Sequence, residues 1–255
     1  MIDFTKYKRF FAFGCSMTRY QWPTWADMIG QEIPTYINCA QSGAGNIFIS
    51  NQIAESNMRY KFNEDDLVMV MWSTITREDR YVENQWHCHG NIYYQNFYDK
   101  DFLMKYVDNR GQLIRDLALI SMSDCLLQTT KATYHMLSMQ PLEAVIRDTT
   151  NKLEGEYQDV LDLYKPVIDL LKNDLLTIGC DSKWGSLPIR HNIPGGQTHD
   201  YHPAPKAHFN FVNKVFPNLT WSQKTIDFME FHDDVVMKAK SQDDLVYQAP
   251  WPPRL

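Results

Sequence analysis

The sequence predicts an α/β protein, a three-layer α/β/α sandwich with a mostly parallel sheet of about five strands. Two observations carry this prediction. Apolar runs of strand length alternate along the chain with segments whose apolar residues recur at helical spacing, the alternation that builds parallel sheets. One run, 67–72, is apolar at every position, which is typical of a strand covered by helices on both faces.

The individual elements follow from local signals. The first strand ends at Gly14, and a loop follows because Pro23 blocks a helix until its ring has been passed. Thr24 and Asn46 are expected to cap the next two helices. The predicted elements are a strand at 8–14, a helix from 24 that ends before 34, a strand at 35–39, a helix at 46–60, a strand at 67–72, a helix at about 112–129, a strand at 132–139, a helix at about 156–173 and a helix through 208. Residues 174–198 are predicted to be irregular.

The chain is predicted to form one domain over residues 1–222, followed by a C-terminal extension over 223–255. A length of 255 residues suffices for one large α/β domain. Residues from about 76 to 111 are rich in aromatic and polar side chains without clear periodicity, and so an inserted loop region is expected there. The extension is charged at first and ends in a segment rich in proline and tryptophan that is expected to be extended.

Composition excludes several classes of partner. The net charge of −6, with no long run of Lys or Arg, argues against binding to nucleic acid. No apolar stretch approaches the ~18–20 residues that span a bilayer, and no signal-peptide pattern is seen. A protein without a membrane partner is expected, either cytoplasmic or exported by a route that leaves no signal. Five cysteines, none at a paired spacing, predict free thiols in a reducing compartment. The oligomeric state is left open.

Ser16 is the leading candidate for a catalytic residue. It comes directly after the strand that ends at Gly14, where α/β proteins expose reactive side chains. A serine hydroxyl needs a base to remove its proton. Near the other end of the chain, Asp200 precedes His202 by two residues, a spacing that suits an oriented histidine base.

These segments resemble the SGNH (GDSL-like) hydrolase family. Residues 14–17, Gly-Cys-Ser-Met, stand where that family has Gly-Asp-Ser-x, and residues 38–46 resemble its glycine block. The Asp-x-His at 200–202 matches its C-terminal pair. The resemblance extends from about 8 to 215. It implies a flavodoxin-like fold and a serine esterase that needs no metal or organic cofactor.

The resemblance also implies roles for individual residues. Ser16 is the nucleophile, His202 the base and Asp200 its orienting acid, and the N–H groups of Ser16 and Gly43 form an oxyanion hole. Without the resemblance, residues 41–45, here called the glycine loop, are equally compatible with a plain turn that leads into a helix cap. After the third strand the family usually has Gly-x-Asn-Asp, whereas residues 72–77 here read Trp-Ser-Thr-Ile-Thr-Arg. Ile75 cannot replace the asparagine, so the missing hydrogen bond is expected from a nearby polar side chain: Asn46, Ser73 or Thr74.

The substrate is expected to be an acyl ester, and an O-acetyl ester on a carbohydrate is favoured. Aromatic rings interleaved with Asn and Gln in the predicted loop suit a sugar surface, although they also suit a loop held by its own aromatic cluster. The candidate substrate-binding residues are Trp22, Trp72, Arg77 and Trp86, and core packing is the alternative for the indoles. His87 and His89 share a face if extended, but no second ligand pair stands nearby, so no metal is expected.

Two other functions are compatible with the same residues. One is O-acyl transfer to a sugar hydroxyl, which the same triad performs when water is excluded from the acyl-enzyme. The other is a glycan-binding or structural module without turnover, suggested by the missing asparagine.

Overall fold

The computed structural model describes residues 2–93, 97–140, 157–180, 190–193, 196–200, 202–239 and 244–247, and the side chains of 180, 190–193 and 196–199 are not described. It confirms the α/β class with a mostly parallel main sheet. The strands are β1 (Arg9–Phe13), β2 (Thr35–Asn38), β3 (Asp66–Trp72), β4 (Arg77–Val82), β5 (Gln85–Asn91), β6 (Thr133–Ser138), β7 (Arg190–Ile193) and β8 (Gly196–His199). The helices are α1 (Trp25–Gly30), α2 (Asn46–Tyr60), α3 (Lys100–Tyr106), α4 (Asn109–Gln128), α5 (Gln158–Leu163), α6 (Lys165–Leu170), α7 (Leu175–Cys180), α8 (Pro205–Val215) and α9 (Gln223–Lys238).

The main sheet has the spatial order β2-β1-β3-β6, and all neighbouring strands run parallel. The chain moves outward from β1 to β2 and then returns past β1 to form β3. The strand order therefore reverses between β1 and β3. In open α/β sheets, the crevice at such a reversal, beyond the carboxyl ends of the strands, is where ligands bind.

The centre of the sheet is buried because its strands are apolar on both faces. All seven residues of β3 are buried, as predicted from its continuous apolar run. Neighbouring residues of β1 pack in opposite directions. Phe10 lies against Trp25 of α1, whereas Phe11 lies against Tyr60 at the end of α2.

The predicted number of five strands in the parallel sheet is wrong for the described part of the chain, where the sheet has four. The chain does return beside β6, but only for a single parallel bridge between Ser138 and Asp174. The Asp174 carboxylate then accepts a hydrogen bond from the Thr177 N–H (2.8 Å), so that the backbone turns into α7 and leaves the sheet. The three-layer arrangement stays a prediction.

The inserted region at 76–111 is not an irregular loop. It contains the antiparallel hairpin of β4 and β5, then α3, and α4 already begins at Asn109. Glu83 and Asn84 join the two strands, and both have positive φ angles (52° and 61°). Two such residues in a two-residue connection match the twist of a β-hairpin.

Other predicted boundaries also change. Gly45, not Asn46, occupies the N-cap position of α2. The helix predicted over 156–173 is divided into α5 and α6 at Tyr164, two residues before the proline at 166. The segment predicted to be irregular contains α7 and a small antiparallel hairpin of β7 and β8.

The C-terminal extension begins with a 16-residue helix, α9, that packs on α1 and α8. Val236 and Ala239 at its end form a small buried cluster with Trp22. Leu245 packs against the same cluster, and the Tyr247 hydroxyl donates a hydrogen bond to the Asp27 carboxylate of α1. Residues 244–247 therefore return to the loop that follows β1 and to α1. The proline- and tryptophan-rich segment at 249–253 lies outside the described residues.

Candidate active site

Ser16 lies in a tight turn at the carboxyl end of β1, beside the reversal of strand order. The Cys15 carbonyl accepts hydrogen bonds from the N–H groups of Thr18 and Arg19 (2.9 and 3.1 Å), which closes the turn around Ser16. The residue is 5% exposed. Its N–H donates to no other described residue, so this donor is available to a ligand.

Asp200 and His202 form a preorganised acid–histidine pair. His202 Nδ1 lies 2.8 Å from Asp200 Oδ1, and the same oxygen accepts the backbone N–H of His202 at 2.8 Å. Burial would raise the pKa of Asp200, but the hydrogen bond and charge of His202, with the hydrogen bond from Tyr20, hold that pKa well below its usual range. The carboxylate is therefore ionised at neutral pH and fixes the orientation of the imidazole.

The loop that carries Ser16 also holds this pair, through a residue that the sequence did not indicate. The Tyr20 ring stacks on the His202 ring, with centroids 3.8 Å apart. Its hydroxyl donates to Asp200 Oδ2 at 2.5 Å, and burial followed by the Asp200 charge raises the pKa of Tyr20, which stays protonated. Trp22 Nε1 donates to the Pro203 carbonyl at 2.8 Å. Ser16 and His202 thus share one edge of the sheet.

The Ser16 hydroxyl makes no hydrogen bond to any described residue, His202 included. A nucleophile and its base often stand beyond hydrogen-bond distance until substrate binds. Because Nδ1 of His202 is engaged by Asp200, Nε2 is the ring nitrogen left for proton transfer.

The glycine loop lies beside the serine turn. The Gln41 N–H donates to the Gly14 carbonyl (3.2 Å), which ties the loop to the end of β1. Gly43 has a φ of +80°, and a Cβ there would stand 2.3 Å from the Cys88 carbonyl oxygen of β5. Only glycine fits this backbone and this approach. The Gly43 N–H donates to no other described residue and is available to a ligand.

The structure removes two of the three side chains expected to replace the missing asparagine. Asn46 is fully buried, and its amide is used by the backbone of Ser73 and by Asp116 (2.8–3.2 Å), so that it cannot reach a substrate. The Thr74 hydroxyl is paired with that of Thr76 at 2.9 Å. The Ser73 hydroxyl has no partner among the described residues, but its oxygen is sealed from the surface.

The residues expected to bind substrate separate into two groups. Trp22 and Trp72 are fully buried, so their indoles pack in the interior and the prediction that they contact substrate is not supported. Trp86 is half-buried in the hairpin, where it packs on Phe48 and Tyr81. Arg77 lies at the start of β4 and points its guanidinium to the Ala44 carbonyl, 2.7 Å away.

His208 is a titratable residue whose pKa responds to the charge of His202. His208 of α8 is buried, and burial, followed by the charge of His202, lowers its pKa to about 3. It is therefore neutral at pH 7, and its Nδ1 has no partner among the described residues.

The four cysteines whose side chains are described are free thiols.

No cluster of three or more His, Cys, Asp or Glu side chains in the described residues has the geometry to hold a metal ion. His89 stacks on Phe97 at 3.9 Å, which gives that ring a packing partner. None of the described helices combines the length and the apolar character that crossing a membrane requires.

Among solved structures, the chain is similar to a crystal structure of a member of the lipolytic protein G-D-S-L family from Veillonella parvula DSM 2008. The two share 15% sequence identity with a TM-score of 0.40, over 83% of this chain and 99% of the other. No protein-family model matches the sequence. No curated protein matches it significantly.

Proposed function

We propose that the protein is a serine hydrolase of the SGNH type that cleaves acyl esters, with Ser16, His202 and Asp200 as its triad. One observation carries the proposal. The loop that presents Ser16 also stacks Tyr20 on His202 (3.8 Å) and binds Asp200 (2.5 Å), so that the candidate base is anchored four residues from the candidate nucleophile. The opposite packing of Phe10 and Phe11 supports a three-layer arrangement as part of this proposal.

The reaction proceeds through an acyl-serine. Ser16 Oγ attacks the ester carbonyl while His202 Nε2 takes its proton, and Asp200 stabilises the resulting imidazolium. The free N–H groups of Ser16 and Gly43 donate to the oxyanion. The imidazolium returns the proton to the leaving alcohol. Water, deprotonated by His202, then attacks the acyl-serine, and the acid is released as the imidazolium returns the proton to Ser16 Oγ.

The substrate class is part of the proposal. The hairpin of β4 and β5 carries Tyr81 and Trp86 next to the glycine loop, and His89 and Phe97 stack close by. Rings with one free face pack on the C–H faces of sugars. These contacts support an O-acetyl ester carried by a carbohydrate.

The test is hydrolysis of p-nitrophenyl acetate by wild type and by Ser16→Ala, with trapping by an organophosphonate located by mass spectrometry. We expect Ser16→Ala to lose at least about 10³-fold in rate, because the nucleophile is removed, and the adduct to lie on Ser16. Ser121→Ala, on α4, is the matched control and should keep the wild-type rate. Equal rates for wild type and Ser16→Ala, or an adduct elsewhere, would refute the proposal.

A binding module without turnover is the second candidate, favoured by the absence of a hydrogen bond from the Ser16 hydroxyl to any described residue. If the protein is such a module, wild type and Ser16→Ala should show the same trace rate.

Acyl transfer differs from hydrolysis only in the acceptor. An added oligosaccharide that diverts acetate from water to sugar would assign transfer to the same triad.

A further inference from the structure

We propose that Arg77 is the third donor of the oxyanion hole, in the place of the asparagine that the resembled family carries after its third strand. This inference rests on the proposed serine hydrolase function. It gives a catalytic role to a side chain of β4. The hairpin of β4 and β5 is a separate sheet and is not part of the parallel sheet.

The Arg77 guanidinium is linked by its contacts to Ala44 and to Cys15. These residues are adjacent in sequence to Gly43 and Ser16, whose N–H groups are the two proposed backbone donors. Nη1 donates to the Ala44 carbonyl at 2.7 Å, and Ala44 follows Gly43. Nη2 donates to Met139 Sδ at 3.9 Å, and the same sulfur accepts from Cys15 Sγ at 3.8 Å. Cys15 precedes Ser16. The guanidinium therefore contacts the residue that follows Gly43, and it shares one sulfur acceptor with the residue that precedes Ser16.

Arg77 forms no ion pair within the described residues. Its partners are a carbonyl and a thioether, and its Nε is buried without a partner. Other arginines in the described part of the chain form ion pairs with carboxylates: Arg9, Arg59, Arg80, Arg110 and Arg115. A half-buried guanidinium that is held in place without a carboxylate bonded to it is suited to a transient anion.

The fold fixes the position of Arg77. A Cβ on Gly45 would stand 2.8 Å from the Arg77 Cβ, so glycine permits β4 to approach the start of α2. Two residues along β4, the Asp79 carboxylate accepts the N–H groups of Gly45 and Phe48, both at 2.8 Å. The strand that carries Arg77 is thereby clamped onto the glycine loop. Preorganised donors of this kind need no rearrangement when charge develops.

The step that Arg77 assists involves no proton transfer to or from it. When Ser16 Oγ bonds to the carbonyl carbon, the electron pair of the C=O π bond moves to oxygen, and the guanidinium donates a hydrogen bond to that oxygen. When the alcohol leaves, the pair returns and the C=O bond reforms. A charged donor binds such an oxygen about twice as strongly as a neutral one.

The test compares Arg77→Met and Arg77→Ala with Ser73→Ala, using p-nitrophenyl acetate. We expect kcat to fall by about 10²–10³ for both Arg77 variants, with KM nearly unchanged, as for the loss of one oxyanion donor. Millimolar guanidinium should restore part of the rate of Arg77→Ala, which a merely structural role would not allow. Ser121→Ala, on α4, is the control and should keep the wild-type kcat, whereas Ser73→Ala tests the competing candidate donor.

Several results would overturn the inference. One is an Arg77→Met enzyme with wild-type kcat beside an inactive Ser16→Ala, which leaves the hydrolase function standing. Another is a loss confined to KM for an ester that carries a carboxylate, since Arg77 would then bind a substrate anion. A loss in Ser73→Ala instead of Arg77→Met would assign the donor to Ser73. If Ser16→Ala matches wild type, the proposed function itself fails. Guanidinium rescue reports on the folded protein, and urea unfolding of each variant identifies loss of fold.

Discussion

At the scale of single residues, Tyr20 combines two contacts that hold the candidate base. Its ring supports the face of His202, and its hydroxyl donates to the carboxylate that orients the same histidine. A hydrogen bond to a charged group contributes about 1.5–3 kcal/mol. The residue acts through Asp200 and His202, and it is therefore a positioning residue.

We expect Tyr20→Phe, which keeps the stacked ring and removes the hydroxyl, to lower kcat/KM for p-nitrophenyl acetate by about ten-fold, since 1.4 kcal/mol corresponds to that factor. Tyr20→Leu removes the ring as well and should lower it further. Tyr106→Phe, at an exposed position of α3, serves as the control and should leave kcat/KM unchanged. A Tyr20→Phe enzyme with full kcat/KM would contradict the positioning role.

Which site residues the sequence can indicate depends on how local their signal is. Ser16 and the Asp200–His202 pair stand in short motifs, and so the amino-acid sequence alone is enough to propose them as candidates. Tyr20 has no such signal, because its partner Asp200 lies 180 residues away and no spacing encodes that contact. The expected role of Asn46 fails for the same reason, since the groups that occupy its amide come from Ser73, directly after β3, and from α4.

At the scale of elements, the hairpin of β4 and β5 supplies a cap that α2 lacks. The N-cap residue of α2 is Gly45, which has no side chain to satisfy the first N–H groups of the helix. The Asp79 carboxylate of β4 takes this role from outside, with two hydrogen bonds at 2.8 Å. Its negative charge also suits the positive end of the helix dipole.

Replacing Asp79 by asparagine should lower the free energy of unfolding by about 1–2 kcal/mol. The amide offers one acceptor oxygen where the carboxylate offers two, so one N–H of the helix loses its partner. Urea unfolding followed by circular dichroism measures the change. Glu83→Gln, in the exposed turn of the same hairpin, should shift the midpoint little, and a comparable shift in both variants would show that the cap is not its cause.

Two of the elements that were not predicted from the sequence are the hairpin of β4 and β5 and helix α9, and each was missed for a different reason. The turn of the hairpin has neither Asn-Gly nor Asp-Gly, the pairs that usually mark such a turn in a sequence. Glu83 and Asn84 adopt the two positive φ angles there, and this pair gives no comparable signal. For α9 a signal was present. Ser222 accepts the Thr225 N–H as an N-cap, and the buried residues Thr225, Met229, His232 and Val236 recur at helical spacing. The charged composition of the segment hid that periodicity.

At the scale of the whole molecule, the fold brings the loop that follows β1 into contact with the segment that precedes α8. The order β2-β1-β3-β6 reverses at β1, where ligands bind in open α/β sheets, and the loop that follows β1 begins at that edge. The loop before α8 returns to that edge with His202, and α9 and residues 244–247 close over Trp22. Strand–helix alternation predicted the parallel sheet, and the short motifs suggested that Ser16 pairs with Asp200 and His202, which stays a prediction. The contacts made by the C-terminal helix could not be read from local sequence, because they are tertiary.

Stability against acid is a property of the whole molecule to which His208 contributes. Its pKa is about 3 in the folded protein because of burial, against 6.5 for the ordinary side chain. Between these values the unfolded chain binds the proton and the folded chain does not. The stabilising contribution is therefore full above about pH 6.5 and is lost as the pH falls toward 3, by up to about 1.4 kcal/mol per pH unit.

We expect His208→Phe to flatten the fall of the free energy of unfolding between pH 7 and pH 4.5, because phenylalanine cannot take up a proton in either state. The slope of urea-unfolding free energy against pH is the measurement. The value at pH 7 does not test the point, since a larger ring in a packed interior has its own cost of about 1–3 kcal/mol. Half-buried His135 and buried His232, whose pKa values burial also lowers, are present in both proteins and cancel in the difference between slopes. Parallel curves for wild type and variant would mean that His208 takes up its proton without unfolding the chain.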